Sequence, residues 1–258
     1  MELVKDRVVG LFSRTASSYD TVGPRHFAYF ARRLVEFAAV QRGDRVLDVA
    51  TGTGAVLLLA AEQVGETGRV VGVDLVPAML GRAEVAVRER GLCNVELRLG
   101  DAEQLDFGRA TFDLVLCSFG LSSFADKDRA LSAFLAVLRP GGRVGLVDTF
   151  GWYFQHDPRW RGVEAVFHAF GALHAGRAQV DLQILIAGAG FTDVETVEDT
   201  CELVFADEEE WWGWSRSHGT RLAQPLDVTL GNSGHMTSKY VELSTAAGNC
   251  GSSMLQGL

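Results

Sequence analysis

The sequence predicts an α/β chain built on a doubly wound, mostly parallel sheet. Five short apolar runs recur at residues 45–49, 69–73, 95–99, 112–117 and 143–147. Segments with apolar residues at helical spacing separate most of these runs. Several runs end at Gly or Asp: Thr51-Gly52-Thr53-Gly54, Asp74 and Gly100-Asp101. Strands of about five apolar residues alternating with helices imply parallel βαβ units covered on both faces. The crossovers are then right-handed, and ligands sit outside the carboxyl ends of the strands.

Each element follows from its own residues. Residues 5–19 carry a loosely helical pattern that ends at Tyr19-Asp20. A second helix is predicted over 23–40, with Phe27, Phe30, Leu34 and Phe37 on one side. Strand 45–49 runs into the glycine loop, and 55–64 is an apolar helix. Strand 69–73 ends at Asp74, and helix 77–90 begins with Pro in its first turn. Strands 95–99 and 112–117 follow. Helix 126–138 is predicted to stop at Arg139-Pro140-Gly141-Gly142, ahead of strand 143–147.

After Phe150 the rhythm breaks into an aromatic and histidine-rich stretch, 151–177, expected to form a helical cap inserted after the fifth strand. A helix over 178–189 and a strand from Phe191 restore the alternation. Helix 207–221 carries Trp211, Trp212 and Trp214, of which one is expected to pack inward because adjacent residues cannot share a face. Glu208-Glu209-Glu210 suits a helix amino terminus. The expected organisation is an N-terminal cover (1–42), a core (43–205), the Trp-rich helix (206–224) and a Gly/Ser-rich tail (225–258). Within or just before that tail, either 201–205 or 239–243 is expected to supply the last strand, with preference for 239–243.

Composition narrows the partner. Hydrophobic residues make up 47% and charged residues 22%, which excludes wholesale disorder. A net charge of −9 disfavours nucleic acid and anionic bilayers. Four cysteines are widely spaced, with no zinc or disulfide pattern. The start lacks the layout of a signal peptide, and no run reaches the ~20 apolar residues of a membrane span. The expectation is a soluble cytoplasmic protein, monomeric or homodimeric, acting on a small molecule.

The strand ends describe that ligand. Gly52 and Gly54 let the backbone turn tightly and approach a ligand closely. The helix after them offers free N–H groups to a carboxylate. Asp48 places negative charge near an ammonium or sulfonium. Asp74 can accept both hydroxyl protons of a ribose, and Asp101 can accept from an adenine amino group. The dinucleotide fingerprint G-x-G-x-x-G competes, but its third position here is Leu57. A nicotinamide-dependent oxidoreductase is therefore the weaker reading. A protein that binds such a cofactor without acting as a transferase is another.

Taken together, Val46 to Gly54 resembles motif I of class I S-adenosylmethionine-dependent methyltransferases, particularly the ubiquinone/menaquinone (UbiE-like) type. Gly72-Val73-Asp74-Leu75 with Met79, Gly100 to Leu105, Phe112 to Val115 and Leu138 to Arg143 extend the resemblance over roughly residues 10–150. Phe12 to Asp20 is similar to the segment that covers the cofactor in that type. The resemblance implies a Rossmann-like seven-stranded sheet with one antiparallel strand, and S-adenosylmethionine as cofactor with S-adenosylhomocysteine as product. It implies a cofactor set of Tyr19, Asp48, Ala50, Thr51, Gly52, Gly54, Asp74, Leu75, Met79, Gly100, Asp101, Ala102, Glu103, Cys117, Ser118 and Phe119.

The acceptor side is read separately. Ser122-Ser123-Phe124 stands where quinone methyltransferases carry Arg-Asn, and the aromatic stretch looks more like bacterial secondary metabolism. Trp152, Phe154, Trp160 and Phe170 are the expected pocket wall for an aromatic or apolar acceptor. His156 and His168 are the candidate general bases, since imidazole titrates near neutrality. Quinone C-methylation is the alternative within the class.

Overall fold

The structure, a computed structural model, describes residues 2–149, 182–217 and 235–247. The helices are α1 (Glu2–Thr15), α2 (His26–Phe37), α3 (Ala55–Val64), α4 (Pro77–Glu89), α5 (Lys127–Val137), α6 (Leu182–Gly188) and α7 (Glu208–Ser217). The strands are β1 (Arg45–Val49), β2 (Arg69–Asp74), β3 (Val95–Leu99), β4 (Phe112–Ser118), β5 (Leu138–Thr149), β6 (Thr192–Val204) and β7 (His235–Ala247). The expected cap at 151–177 lies outside the described residues, and with it Trp152, Phe154, His156, Trp160, His168 and Phe170.

The strands assemble in the order β3-β2-β1-β4-β5-β7-β6. β1 to β5 pair in parallel, whereas β7 is antiparallel to both β5 and β6. The chain builds outward from β1 to β3 and then returns to lay β4 on the other side of β1. That reversal opens a crevice beyond the carboxyl ends of β1 and β4, where doubly wound sheets bind ligands.

Side-chain alternation explains why both faces are covered. Val46, Leu114 and Leu116 point into a cluster with Phe30, Leu34, Leu57 and Ala60 from α2 and α3. Leu47, Val115 and Cys117 point the other way, onto Leu131 and Phe134 of α5 and Ile186 of α6. A period of two on continuously apolar strands thus feeds two helical layers. α3 lies so close to β2 that a Cβ at Gly72 would stand 2.9 Å from Leu57 Cδ1. No helix among the described residues is long and apolar enough to cross a membrane.

Several element boundaries differ from the sequence expectation, while the preference for 239–243 as the last strand is met. β5 begins at Leu138 instead of 143. Leu138 pairs with Phe112, and a register irregularity next to Phe112 absorbs Pro140-Gly141-Gly142, with Gly141 at φ +77°. The first helix stops at Thr15, so Tyr19 lies in the turn beyond it. Residues 201–204 end β6, and β7, which contains 239–243, inserts between β5 and β6. In α7 the Asp207 side chain accepts from the Glu210 N–H at 2.8 Å, a cap of the kind helix starts favour. Trp214 is the inward-facing tryptophan, 2% exposed, against Phe205 and His26.

Candidate active site

The loop after β1 is held in an unusual backbone path. Ala50, Gly52 and Gly54 all have positive φ, at +56°, +56° and +94°. Glycine takes this region without steric cost, while Ala50 does so under strain. Asp74 at the end of β2 fixes the loop. Its Oδ2 accepts from the Gly52 N–H at 2.7 Å, and its Oδ1 accepts from the Val76 N–H at 2.9 Å. A Cβ added at Gly52 would meet nothing closer than the Ala50 carbonyl oxygen at 4.0 Å. The glycine therefore serves conformation and ligand approach, and not internal packing.

Around this loop lies a cleft of about 1070 Å³, counting its open mouth. That is the size of a small-molecule site. Of the sequence-predicted cofactor residues, Tyr19, Asp48, Ala50, Thr51, Gly52, Asp74, Leu75, Met79, Gly100, Asp101, Ala102, Glu103, Ser118 and Phe119 line it. Gly54 and Cys117 do not. Gly54 is spent on capping α3 in a left-handed conformation, and Cys117 is directed into the core, 1% exposed. Burial, helped by Asp148 and Asp48, pushes the Cys117 thiol well up, so it stays protonated.

Lining residues not predicted from sequence include Lys5 and Val8 from α1, Phe27 from α2, and Gly120, Ser123 and Phe124 beyond β4, while Phe12 belongs to the expected cofactor cover. Phe12 meets the Tyr19 ring edge-on at 6.0 Å, Tyr19 stacks on Phe27 at 5.2 Å, and Phe27 meets Phe119 edge-on at 5.1 Å. These rings line the same cleft as the carboxylates. Tyr19 and Phe119 stand in the expected cofactor set and Phe12 in the segment similar to a cofactor cover, whereas Phe27 has only a helical spacing that reads equally as core.

The electrostatics favour a cation. Among the described lining residues the charged groups are Asp48, Asp74, Asp101, Glu103 and Lys5. Asp48 is 1% exposed, and burial with the nearby Asp74 charge pushes its carboxyl up to about 7, opposed by the Thr51 hydroxyl that donates to it at 2.6 Å. The expected fixed negative charge at Asp48 is therefore easily neutralised. Burial also raises Asp74, against three backbone N–H groups that favour its ionised form. Glu103 is 3% exposed and accepts from the N–H groups of Ala125 and Asp126 at 2.9 and 3.1 Å. Lys5 Nζ lies 2.6 Å from both Asp101 Oδ2 and Glu103 Oε2.

A sequence model of the ubiE/COQ5 methyltransferase family matches residues 1–154, well over half of the chain. The chain belongs to this family. The aklanonic acid methyltransferase of a Streptomyces species is 39% identical over 140 residues, covering 54% of this chain and 64% of its own. The match thus spans slightly less than two thirds of that relative. The nocamycin O-methyltransferase of Saccharothrix syringae is 32% identical over 235 residues, covering 82% of each chain. The YcgJ protein of Bacillus subtilis shares the fold, with a TM-score of 0.60 at 22% identity over 88% of this chain and all of that one.

Membership of this family points to S-adenosylmethionine as the group the cleft would hold. The cleft suits that group on its own terms. Its charge complements a sulfonium and an ammonium, and Gly52 leaves space where a side chain would stand. Asp74 retains carboxylate lone pairs after serving the loop, which is what a ribose diol needs.

Proposed function

We propose that this methyltransferase transfers the methyl group to an oxygen of a small, aromatic or apolar acceptor of the natural-product kind. The observation that carries the reading is the run of aromatic rings, Phe12, Tyr19, Phe27 and Phe119, that lines the cleft together with the carboxylates. An apolar surface with few polar anchors selects such acceptors. The alignment with an O-methyltransferase over 82% of the chain supports it, because that match extends past residue 154. N- or C-methylation uses the same cleft with a different acceptor atom.

In this reading the cofactor supplies an electrophilic methyl carbon, and the protein aligns the acceptor and excludes water. Asp74 holds the ribose hydroxyls, Asp101 the adenine amino group, and the Asp48 side of the loop faces the methionyl cation. His156 or His168 supplies the base when the acceptor is a phenol or alcohol, with Trp152, Phe154, Trp160 and Phe170 closing the acceptor pocket.

The test is transfer of radiolabelled methyl from S-adenosylmethionine to a panel of hydroxylated aromatic and carboxylic acceptors, with a demethylated menaquinol as a separate arm. Label in an ether or ester bond supports the reading. Label on a quinol ring carbon supports quinone C-methylation, the alternative favoured by the family match over residues 1–154. Binding of S-adenosylmethionine with no transfer to any acceptor would point to a non-methylating protein. Asp74→Asn should weaken S-adenosylmethionine binding by about tenfold or more, the scale of one hydrogen bond to a charged group. NAD should not bind.

A further inference from the structure

We infer that Lys5 is a positioning residue that fastens α1 across the adenine end of the cleft, so that cofactor exchange requires its two ion pairs to open. The inference rests on the reading that the cleft holds S-adenosylmethionine with its adenine beside Asp101.

Three observations carry it. First, Lys5 reaches over 96 residues of chain to stand 2.6 Å from Asp101 Oδ2 and 2.6 Å from Glu103 Oε2. Asp101 is the carboxylate placed for the adenine, so latch and recognition share one group. Second, Glu103 is otherwise committed. Its Oε1 holds the backbone ahead of α5, and its side chain is 2% exposed, leaving Oε2 directed at Lys5. A carboxylate buried to that degree strongly favours a partnering cation. Third, among the described residues the apolar footing of α1 is thin. None of its residues is buried, and Val9 and Phe12 pack only on the small cluster of Ala16, Val76 and Met79 and, for Phe12, on the Tyr19 ring.

An element with a thin apolar footing and one strong polar anchor opens when the anchor releases. Burial alone would lower the Lys5 pKa, but the hydrogen bonds and charges of Asp101 and Glu103 outweigh it and raise it. The ammonium therefore stays charged throughout the neutral range. Because α1 supplies Lys5, Val8 and Phe12 to the cleft lining, its departure uncovers the bound cofactor.

The experiment measures dissociation of S-adenosylhomocysteine from the full chain by stopped-flow displacement with excess S-adenosylmethionine. Lys5→Met should release it about tenfold faster than wild type, while Lys5→Arg should stay within about twofold, since it keeps the cation. Raising salt from about 0.05 to about 0.5 M should accelerate release from wild type and leave Lys5→Met nearly unchanged. The melting temperature of the cofactor-free Lys5→Met protein should fall, because Glu103 Oε2 then stays buried without its cation, whereas Lys5→Arg should melt close to wild type. Equal dissociation rates for wild type and Lys5→Met at low salt overturn the inference. If Lys5→Met fails to fold, a salt-independent wild-type rate overturns it equally. Wild-type protein that binds neither cofactor form sinks instead the cofactor reading beneath it.

Discussion

Asp48 sets two demands against each other. Its carboxyl is buried at the tip of β1 beside Asp74, and its folded pKa of about 7 stands above the ordinary value of 3.8. A raised carboxylate pKa means that the folded protein holds the proton more tightly than the unfolded chain does. Ionising Asp48 therefore costs stability. That cost is absent below about pH 4, grows between about pH 4 and 7, and is complete above about pH 7. Asp48→Asn keeps an acceptor for the Thr51 hydroxyl and removes the charge. The cofactor-free variant should melt about 5 °C higher than wild type at pH 8, with the difference vanishing near pH 4. Its affinity for S-adenosylmethionine should fall at pH 8, since the cleft loses one of its carboxylate charges. Calorimetric melts and binding titrations at both pH values check this, and an unchanged melt at pH 8 would refute it. The position of Asp48 was legible in the sequence because a strand end and a glycine loop frame it. Its protonation was not, since burial depends on what α2 and α3 place over it.

At the scale of elements, the junction of β1 with β4 shows how tightly the cleft floor is built. Ala50 and Phe119, just past the two strands, both take positive φ as non-glycine residues. Such strain concentrates at functional sites. Gly120 follows with φ −87°, an ordinary value, so its need for glycine is purely steric. A Cβ there would stand 2.7 Å from Ala50 Cβ and 2.8 Å from Cys117 Sγ. Gly120→Ala should cost about 1–3 kcal/mol in denaturant unfolding and raise the KM for S-adenosylmethionine by displacing the loop. Adding Ala50→Gly should recover part of the loss by removing one obstacle and the strain at Ala50. A double variant no better than Gly120→Ala alone would contradict this account. Local pattern located both strands here, since their apolar runs are continuous. It could not reveal that two loops from distant segments touch. The same limit hid Lys5, whose partners lie about a hundred residues away, and the early start of β5, where pairing with Phe112 overrode the Pro-Gly-Gly turn signal.

For the molecule as a whole, the parallel half of the sheet was legible from periodicity alone, and the position of β7 was not. Residues 239–243 carried a strand pattern, but nothing local states that a late strand enters between two earlier ones. Arg143 pairs with Ala247, and Thr196 with Ser244, so β7 lies between β5 and β6 and pairs with both. A chain ended at residue 234 should leave two unpaired edges and self-associate, as open edges do. Light scattering checks this, and a monodisperse monomer would count against it. The same insertion bears on how the protein is made. Every described residue lining the cleft lies between Lys5 and Ala125, and β1 to β5 are complete by Thr149. During synthesis, the strands that carry these residues therefore leave the ribosome before β7 does. Until β7 arrives, the outer edge of β5 stays open to neighbouring nascent chains. Translation speed through the segment between β5 and β7 thus sets how long that edge is exposed to misassembly.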